Sequence, residues 1–347
     1  MARRAGRQAG AGHRPGPAFL NSERVATSEF DLIRRYFTHR ARHAVLGVGD
    51  DAALVNVRRG CELVISADML VAGRHFLRDT DPRQLGHKAL AVNLSDMAAM
   101  GANPRWATLA LALPSVDAHW LTAFSSGFMA LARRFGVDLV GGDTTRGPLN
   151  ICVQIMGEAP RGSALRRDGA RVGDDIWISG TLGDAALGLA ALKRRIRLKP
   201  VELAHCLLKL QRPQPRVQLG LALRNVANSA IDISDGLLAD LGHVLERSQV
   251  AAEVELAALP ASPVLQRYID RVPACAAMLA GGDDYELCFT ASRRAREAIL
   301  RTGHRARVRL TRIGIVTSPA RGAPRLIVRA PDGTPLRVVR GGYDHFA

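Results

Sequence analysis

Aspartates recur in this sequence within short segments rich in glycine or hydroxyl residues, each beside an apolar, strand-like or helix-like run. Asp50 and Asp51 lie in GVGDDAAL, Ser66 and Asp68 in LVISAD, and Asp143 in GGDTTRG. Asp232, Ser234 and Asp235 lie in IDISDGL, and Asp283 and Asp284 in GGDDYEL. Magnesium takes oxygen ligands, keeps several waters and is held by one or two carboxylates together with substrate phosphates. Groups of this kind therefore suit phosphate chemistry conducted through magnesium. A direct phosphate cradle is excluded, because no GxxxxGK[ST] occurs. The GxG at Gly47 to Gly49 runs into Asp50 and Asp51, whose carboxylates would repel a bare pyrophosphate. Taken singly, each of these aspartates reads first as a turn or N-cap residue. Five such groups, most of them in Gly-rich segments where α/β sheets bind ligands, favour the ligand reading for the set.

Asp96 is the most informative single position. On a helix opening at Asp81-Pro82, residues Leu85, Ala89, Val92, Asp96 and Ala99 share one face. A carboxylate on an apolar stripe is costly unless paired or bound to a cation. The competing reading is a buried Asp that caps a neighbouring backbone. Among the histidines only His75, in GRHF after the Asp68 strand, is a candidate substrate contact. No HExxH, GxSxG or Ser-His-Asp arrangement can be read.

The elements that must position these groups alternate between helix and strand, which makes the class α/β or α+β. Ser28 is a candidate N-cap for a helix over EFDLIRRYF. Leu63 to Ile65 reads as a buried strand, Asp81 to Met100 as a helix closed by Gly101, and Ala107 to Leu113 as a strand. A helix over about 118–135 and strands at Asp138 to Val140 and Asn150 to Gly157 follow, with Asp143 just past a strand end. A Gly-, Arg- and Pro-rich loop from Ala159 to Asp174 marks a domain boundary. Beyond it come a strand at Asp175 to Ser179, three helical stretches from about Asp184 to Asn228, and renewed alternation. Residues 1–22 read as a disordered basic tail, 23–160 as an N-terminal domain and 161–347 as a C-terminal domain.

Composition narrows the function classes. The formal net charge is +16, yet only four of the 48 basic residues are lysines (Lys88, Lys193, Lys199 and Lys209), a preference that resembles codon bias. Aromatics are 5% and do not interleave with a basic run, so no stacking platform for nucleic acid is visible and anionic small substrates suit the charge. Five cysteines without CxxC spacing read as reduced thiols. No apolar run approaches the roughly eighteen residues of a membrane span, and no secretory signal is evident. The expectation is a cytoplasmic enzyme without a nucleic-acid or membrane partner.

At GVGDD, ADMLVAGRHF, KALAVNLSDMAAMGA, GGDTTRGP, SAIDISDGL and GGDDYELCFT, in that order, the sequence resembles the thiamine-monophosphate kinases. That family lies within the superfamily of the aminoimidazole ribonucleotide synthetases. The resemblance runs from Glu29 to the GYDHF near the C-terminus. It implies a two-domain fold whose N-terminal mixed sheet pairs in a homodimer, with a larger C-terminal α/β domain. It further implies transfer of the γ-phosphoryl group of ATP to thiamine monophosphate, with several magnesium ions. Carried over by motif, the metal ligands would be Asp51, Ser66, Asp68, Asp96, Asp143, Asp232 and Asp235. Of these, Asp51, Asp68, Asp96, Asp143 and Asp232 would carry catalysis. Gly142, Asp143, Arg167 and Ser234 would contact ATP, and His75, Asp283 and Tyr343 the thiamine moiety. Three positions depart from the family pattern: Ala67 for a frequent threonine, Asp283 for the usual glutamate, and Arg340 where some relatives place tryptophan.

Overall fold

The computed structural model describes residues 28–322, 325–336 and 342; the tail at 1–22, Arg340 and Tyr343 lie outside the described residues. Ser28 and Asp31 form a reciprocal capping box that opens α1 (Glu29–Leu32). The helix then widens into a π turn, Ile33–Phe37, which buries Tyr36 and Phe37. Strands β1 (Ala44–Leu46) and β2 (Leu54–Val55) pair antiparallel and bracket the GVGDD segment.

A four-stranded sheet follows, built from β3 (Cys61–Val71), β4 (Asn103–Leu113), β5 (Asp138–Arg146) and β6 (Asn150–Pro160) in the order β3-β6-β4-β5. Only β4 and β5 run parallel. Helices α2 (Pro82–Ala99) and α3 (Ala118–Phe135) pack on it and on each other. Local chemistry sets the ends of α2. The Asp81 side chain accepts from the Gln84 backbone N–H at 2.9 Å, and Pro82 occupies the first turn. At the far end Gly101 adopts φ +59°, and the N–H groups of Gly101 and Ala102 return to the carbonyls of Ala98 and Met97.

Two glycines allow α2 and α3 to approach backbone to backbone. A Cβ on Gly86 would stand 2.1 Å from the Phe124 carbonyl oxygen, and one on Gly127 only 1.9 Å from that of Arg83. Gly127→Ala should therefore lower stability by about 3 kcal/mol, because overpacking outweighs the helix-propensity gain of about 1 kcal/mol. Chemical denaturation checks this. A variant as stable as its parent would show that the helices can part at no cost.

The second sheet has six strands: β7 (Asp175–Ser179), β8 (Ser229–Asp232), β9 (Ala251–Glu255), β10 (Leu287–Ala291), β11 (Leu310–Thr317) and β12 (Leu326–Arg329). Their order is β12-β9-β11-β7-β10-β8, antiparallel except for β12 with β9. Around it lie α4 (Asp184–Leu192), α5 (Pro200–Gln211), α6 (Val217–Leu223), α7 (Leu237–Arg247), α8 (Pro263–Gln266), α9 (Val272–Ala280) and α10 (Arg296–Ala306). Helix α2 also reaches this half: it packs on β8 and α6, where a Cβ on Gly220 would stand 2.0 Å from the Ala98 carbonyl oxygen. One helix thus touches both sheets.

Three sequence expectations are corrected. The GGDTTR segment continues β5 instead of following it, with Gly142 opposite Leu109 and Asp143 opposite Ala110. Gly142 has φ +148°, and a Cβ there would stand 1.9 Å from the Leu109 oxygen; the glycine lets the parallel pair close. Leu63 and Ile65 are not buried: β3 is an edge strand, and its odd positions face outward, leaving Leu63 40% and Ile65 54% exposed. The apolar stripe on α2 is not a stripe either, since the helix is buried on nearly every side.

Candidate active site

Strand alternation puts Ser66 and Asp68 on the inner face of β3, towards α2. There the Ser66 hydroxyl donates to Asp96 Oδ2 at 2.5 Å. One residue earlier on α2, the Ser95 hydroxyl donates to Asp232 Oδ2 at 2.7 Å, at the end of β8. The turn after β8 carries Ser234 and Asp235 into α7. Asp68, Asp96, Asp232 and Asp235 therefore come together from β3, α2 and the β8–α7 turn, at the junction of the two sheets. A cleft of about 570 Å³ opens here, lined by Ser66, Asp96, Asp232 and Arg167.

Their surroundings disfavour the charged form of these carboxylates. Burial, reinforced by the charges of Asp96 and Asp235, pushes the Asp68 carboxyl up to about 7. Burial and Asp96 push Asp232 up to about 8, against the hydrogen bond from Ser95. Asp96 is also raised by burial, opposed by its bond from Ser66 and by the nearby Arg167. Three mutually repelling acids in one buried junction call for positive charge. Among the described residues no three His, Cys, Asp or Glu side chains converge closely enough to hold an ion alone. The donor set fits magnesium nonetheless: all donors are oxygens, and the ion uses one or two carboxylates with phosphate oxygens and waters completing its shell.

The remaining candidates fall into two further groups. Asp51, Gly142 and Asp143 line a separate cleft of about 680 Å³ beside α1, where both aspartates are exposed. His75 and Asp283 meet in a small cavity of about 80 Å³. The seven metal-ligand candidates thus divide into a junction group (Ser66, Asp68, Asp96, Asp232 and Asp235) and a pair beside α1 (Asp51 and Asp143), and Tyr343 lies outside the described residues.

Sequence reasoning missed three residues that build this site. Ser95 fixes Asp232. Lys88, buried on α2, donates to Asp283 Oδ1 at 2.6 Å. Asp240, on α7, accepts through one oxygen from the backbone N–H groups of Ser234, Asp235 and Gly236 at 3.0, 3.1 and 3.1 Å. A signal existed for Lys88: in a chain that uses arginine almost everywhere, a surviving lysine marks a place where a guanidinium does not serve.

Comparison with known proteins bears on the family and the fold. The family described as "AIR synthase related protein, N-terminal domain" matches residues 49–159, and "AIR synthase related protein, C-terminal domain" matches residues 171–327. The chain is 48% identical over 329 residues to the thiamine-monophosphate kinase of Escherichia coli strain K12, covering 93% of this chain and 99% of that protein. The crystal structure of thiamine-monophosphate kinase from Stenotrophomonas maltophilia K279a is 47% identical with a TM-score of 0.79, over 87% of this chain and 95% of that one. AaThiL complexed with AMPPCP and TMP is 32% identical with a TM-score of 0.72, over 91% of this chain and 96% of that one. With two matched domains and near-complete coverage of its relatives, the chain belongs to the thiamine-monophosphate kinase family, built on AIR synthase related domains.

Proposed function

We propose that the acidic junction binds ATP with magnesium and passes its γ-phosphoryl group to thiamine monophosphate. An oxygen of the acceptor phosphate forms the new bond to the γ-phosphorus, the bond to the bridging oxygen breaks, and thiamine diphosphate and ADP result. The observation that carries this reading is the set of carboxylates Asp68, Asp96 and Asp232, drawn together from both halves of the chain, all raised by burial, with Asp68 and Asp232 raised further by the charge of Asp96.

Ser66, Asp68, Asp96, Asp232 and Asp235 would hold magnesium at the junction, and Asp51 and Asp143 in the cleft beside α1. When bound, magnesium neutralises phosphate charge. The chain itself does the positioning. Arg167 and the Ser234 turn sit where a nucleotide phosphate would approach the junction, and Gly142 presents bare backbone beside Asp143. The acceptor phosphate is already anionic near neutral pH, so no strong general base is needed, and alignment with charge neutralisation suffices. The AaThiL complex with AMPPCP and TMP supports the choice of substrates.

A homodimer is part of the same proposal. The outward face of edge strand β3 carries Leu63, Ile65 and Met69, the last 54% exposed, an apolar row suited to pairing with a second copy. The five free cysteines support a reducing, cytoplasmic setting. The division at about residue 160 into two domains is supported by the family matches at 49–159 and 171–327.

The test mixes purified protein with ATP, Mg²⁺ and thiamine monophosphate and separates the products, with sedimentation of the same sample. Thiamine diphosphate and a dimer mass are expected. Absence of the product would sink the catalytic assignment, and a monomer mass would sink the dimer alone.

A further inference from the structure

Lys88 has a part that the metal chemistry does not use. It lies on the first half of α2, its side chain 4% exposed, and it reaches across the junction to Asp283 Oδ1 at 2.6 Å. Its ammonium also lies 3.5 Å from the backbone carbonyl oxygen of His75. The two residues it joins come from opposite halves of the chain. The His75 turn is anchored to β3, because the Val71 N–H donates to the ring Nδ1 at 2.9 Å. The Asp283 loop is anchored to the turn after β8, because the N–H groups of Asp283 and Tyr285 donate to the carbonyls of Ser234 and Ile233, both at 2.8 Å.

That loop is conformationally loaded. Asp283 has φ +68° and Tyr285 φ +49°, left-handed values that side chains seldom adopt. The Tyr285 hydroxyl donates to the same Asp283 oxygen at 3.3 Å. Around these groups lies the cavity of about 80 Å³, walled by His75, Phe76, Leu85, Lys88, Leu189 and Asp283. A buried ammonium needs a partner, and a strained loop needs something to hold it. The Lys88–Asp283 pair meets both needs, and both residues line the cavity between the two halves.

We propose that Lys88 is a positioning residue for the acceptor pocket. By tying Asp283 to the His75 turn, it fixes the direction of the Asp283 carboxylate and so the affinity for the acceptor, not for the nucleotide. This rests on the kinase reading above, in which His75 and Asp283 face the acceptor. A lysine suits this place because it offers one compact ammonium to both oxygens, whereas a guanidinium is larger and planar.

The experiment measures KM for thiamine monophosphate and for ATP separately, and kcat, in K88M, K88R, D283N and the K88M/D283N pair. Both K88M and K88R should raise the acceptor KM by about 10–100-fold, as loss of a supporting interaction commonly does, with the ATP KM unchanged. K88M should add little to D283N, since both break one unit. Lys88 variants that raise both KM values equally, that change only the melting temperature, or that add fully to D283N would overturn the proposal. Should K88M fail to fold, K88R, which keeps the charge, decides alone. A parent protein that makes no thiamine diphosphate would instead overturn the kinase reading, so the two failures are distinguishable.

Discussion

Asp232→Asn should reduce phosphoryl transfer by about 10²–10³-fold while the protein stays folded. A metal-linked charge interaction is worth several kcal/mol in the transition state, and each 1.36 kcal/mol is a decade in rate. The amide keeps the shape of the side chain and can still accept from the Ser95 hydroxyl, so the packing at the end of β8 survives. Only the charge is lost. The same substitution gives a second, opposite signature in the metal-free protein. The Asp232 carboxyl sits at about 8 in the fold against an ordinary 3.8. Between those values the unfolded chain has released its proton and the folded chain has not. Stability of the metal-free protein therefore falls as pH rises from about 4 to about 8. Asparagine removes that contribution, so at pH 8 without magnesium the variant should melt at or above the parent. Asp96→Asn should follow the same pattern, since its amide can retain the bond from Ser66. Turnover assays with Mg²⁺ and melting curves at pH 5 and pH 8 check both halves. Undiminished turnover would remove Asp232 from the reaction. A variant that melts well below its parent would make it a structural residue instead.

What could be read from the sequence was what local chemistry decides. The start of α2 is written in Asp81 and Pro82, its end in Gly101, and β7 in the apolar triad Ile176-Trp177-Ile178 between Asp175 and Ser179, with bounds that match expectation. The acidic segments were legible as a set because their residue types are unusual wherever they stand. What could not be read depends on partners far along the chain. The glycines of GGDTTR look like a loop until β4 lies beside them and leaves no room for a Cβ at Gly142. Leu63 and Ile65 look like core residues because apolar character does not say which side of an edge strand is covered. The division of the aspartates into a junction group and a group beside α1 follows from sheet order, which no spacing encodes. Lys88 and Asp283 are separated by 195 positions, and nothing near either residue names the other.

Asp240 shows the same limit and gives the last prediction. Gly236 caps the N-terminus of α7 with φ +121° and no side chain, and a Cβ there would stand 2.8 Å from the Ala280 carbonyl carbon. The usual Ser, Thr or Asp cap is therefore sterically barred. Asp240, one turn into the helix, takes over by reaching back to three consecutive N–H groups through a single oxygen. Those N–H groups belong to the turn that carries Ser234 and Asp235, so one carboxylate shapes the acidic turn without facing the cleft. Hydrogen bonds to a charged acceptor are roughly twice as strong as neutral ones. Asp240→Asn should loosen the turn, since its neutral amide oxygen holds the three N–H groups less firmly than a carboxylate does. The expected result is a rise of about 10–100-fold in the magnesium needed for half-maximal activity, as for other residues that orient ligands. Activity at saturating magnesium should recover most of its parent value. That recovery separates Asp240 from Asp232, where added magnesium cannot replace the missing charge. A magnesium titration of both variants reads the difference directly. An Asp240→Asn curve that overlays the parent, or a loss of activity that no magnesium restores, would show that the turn holds its shape by other means.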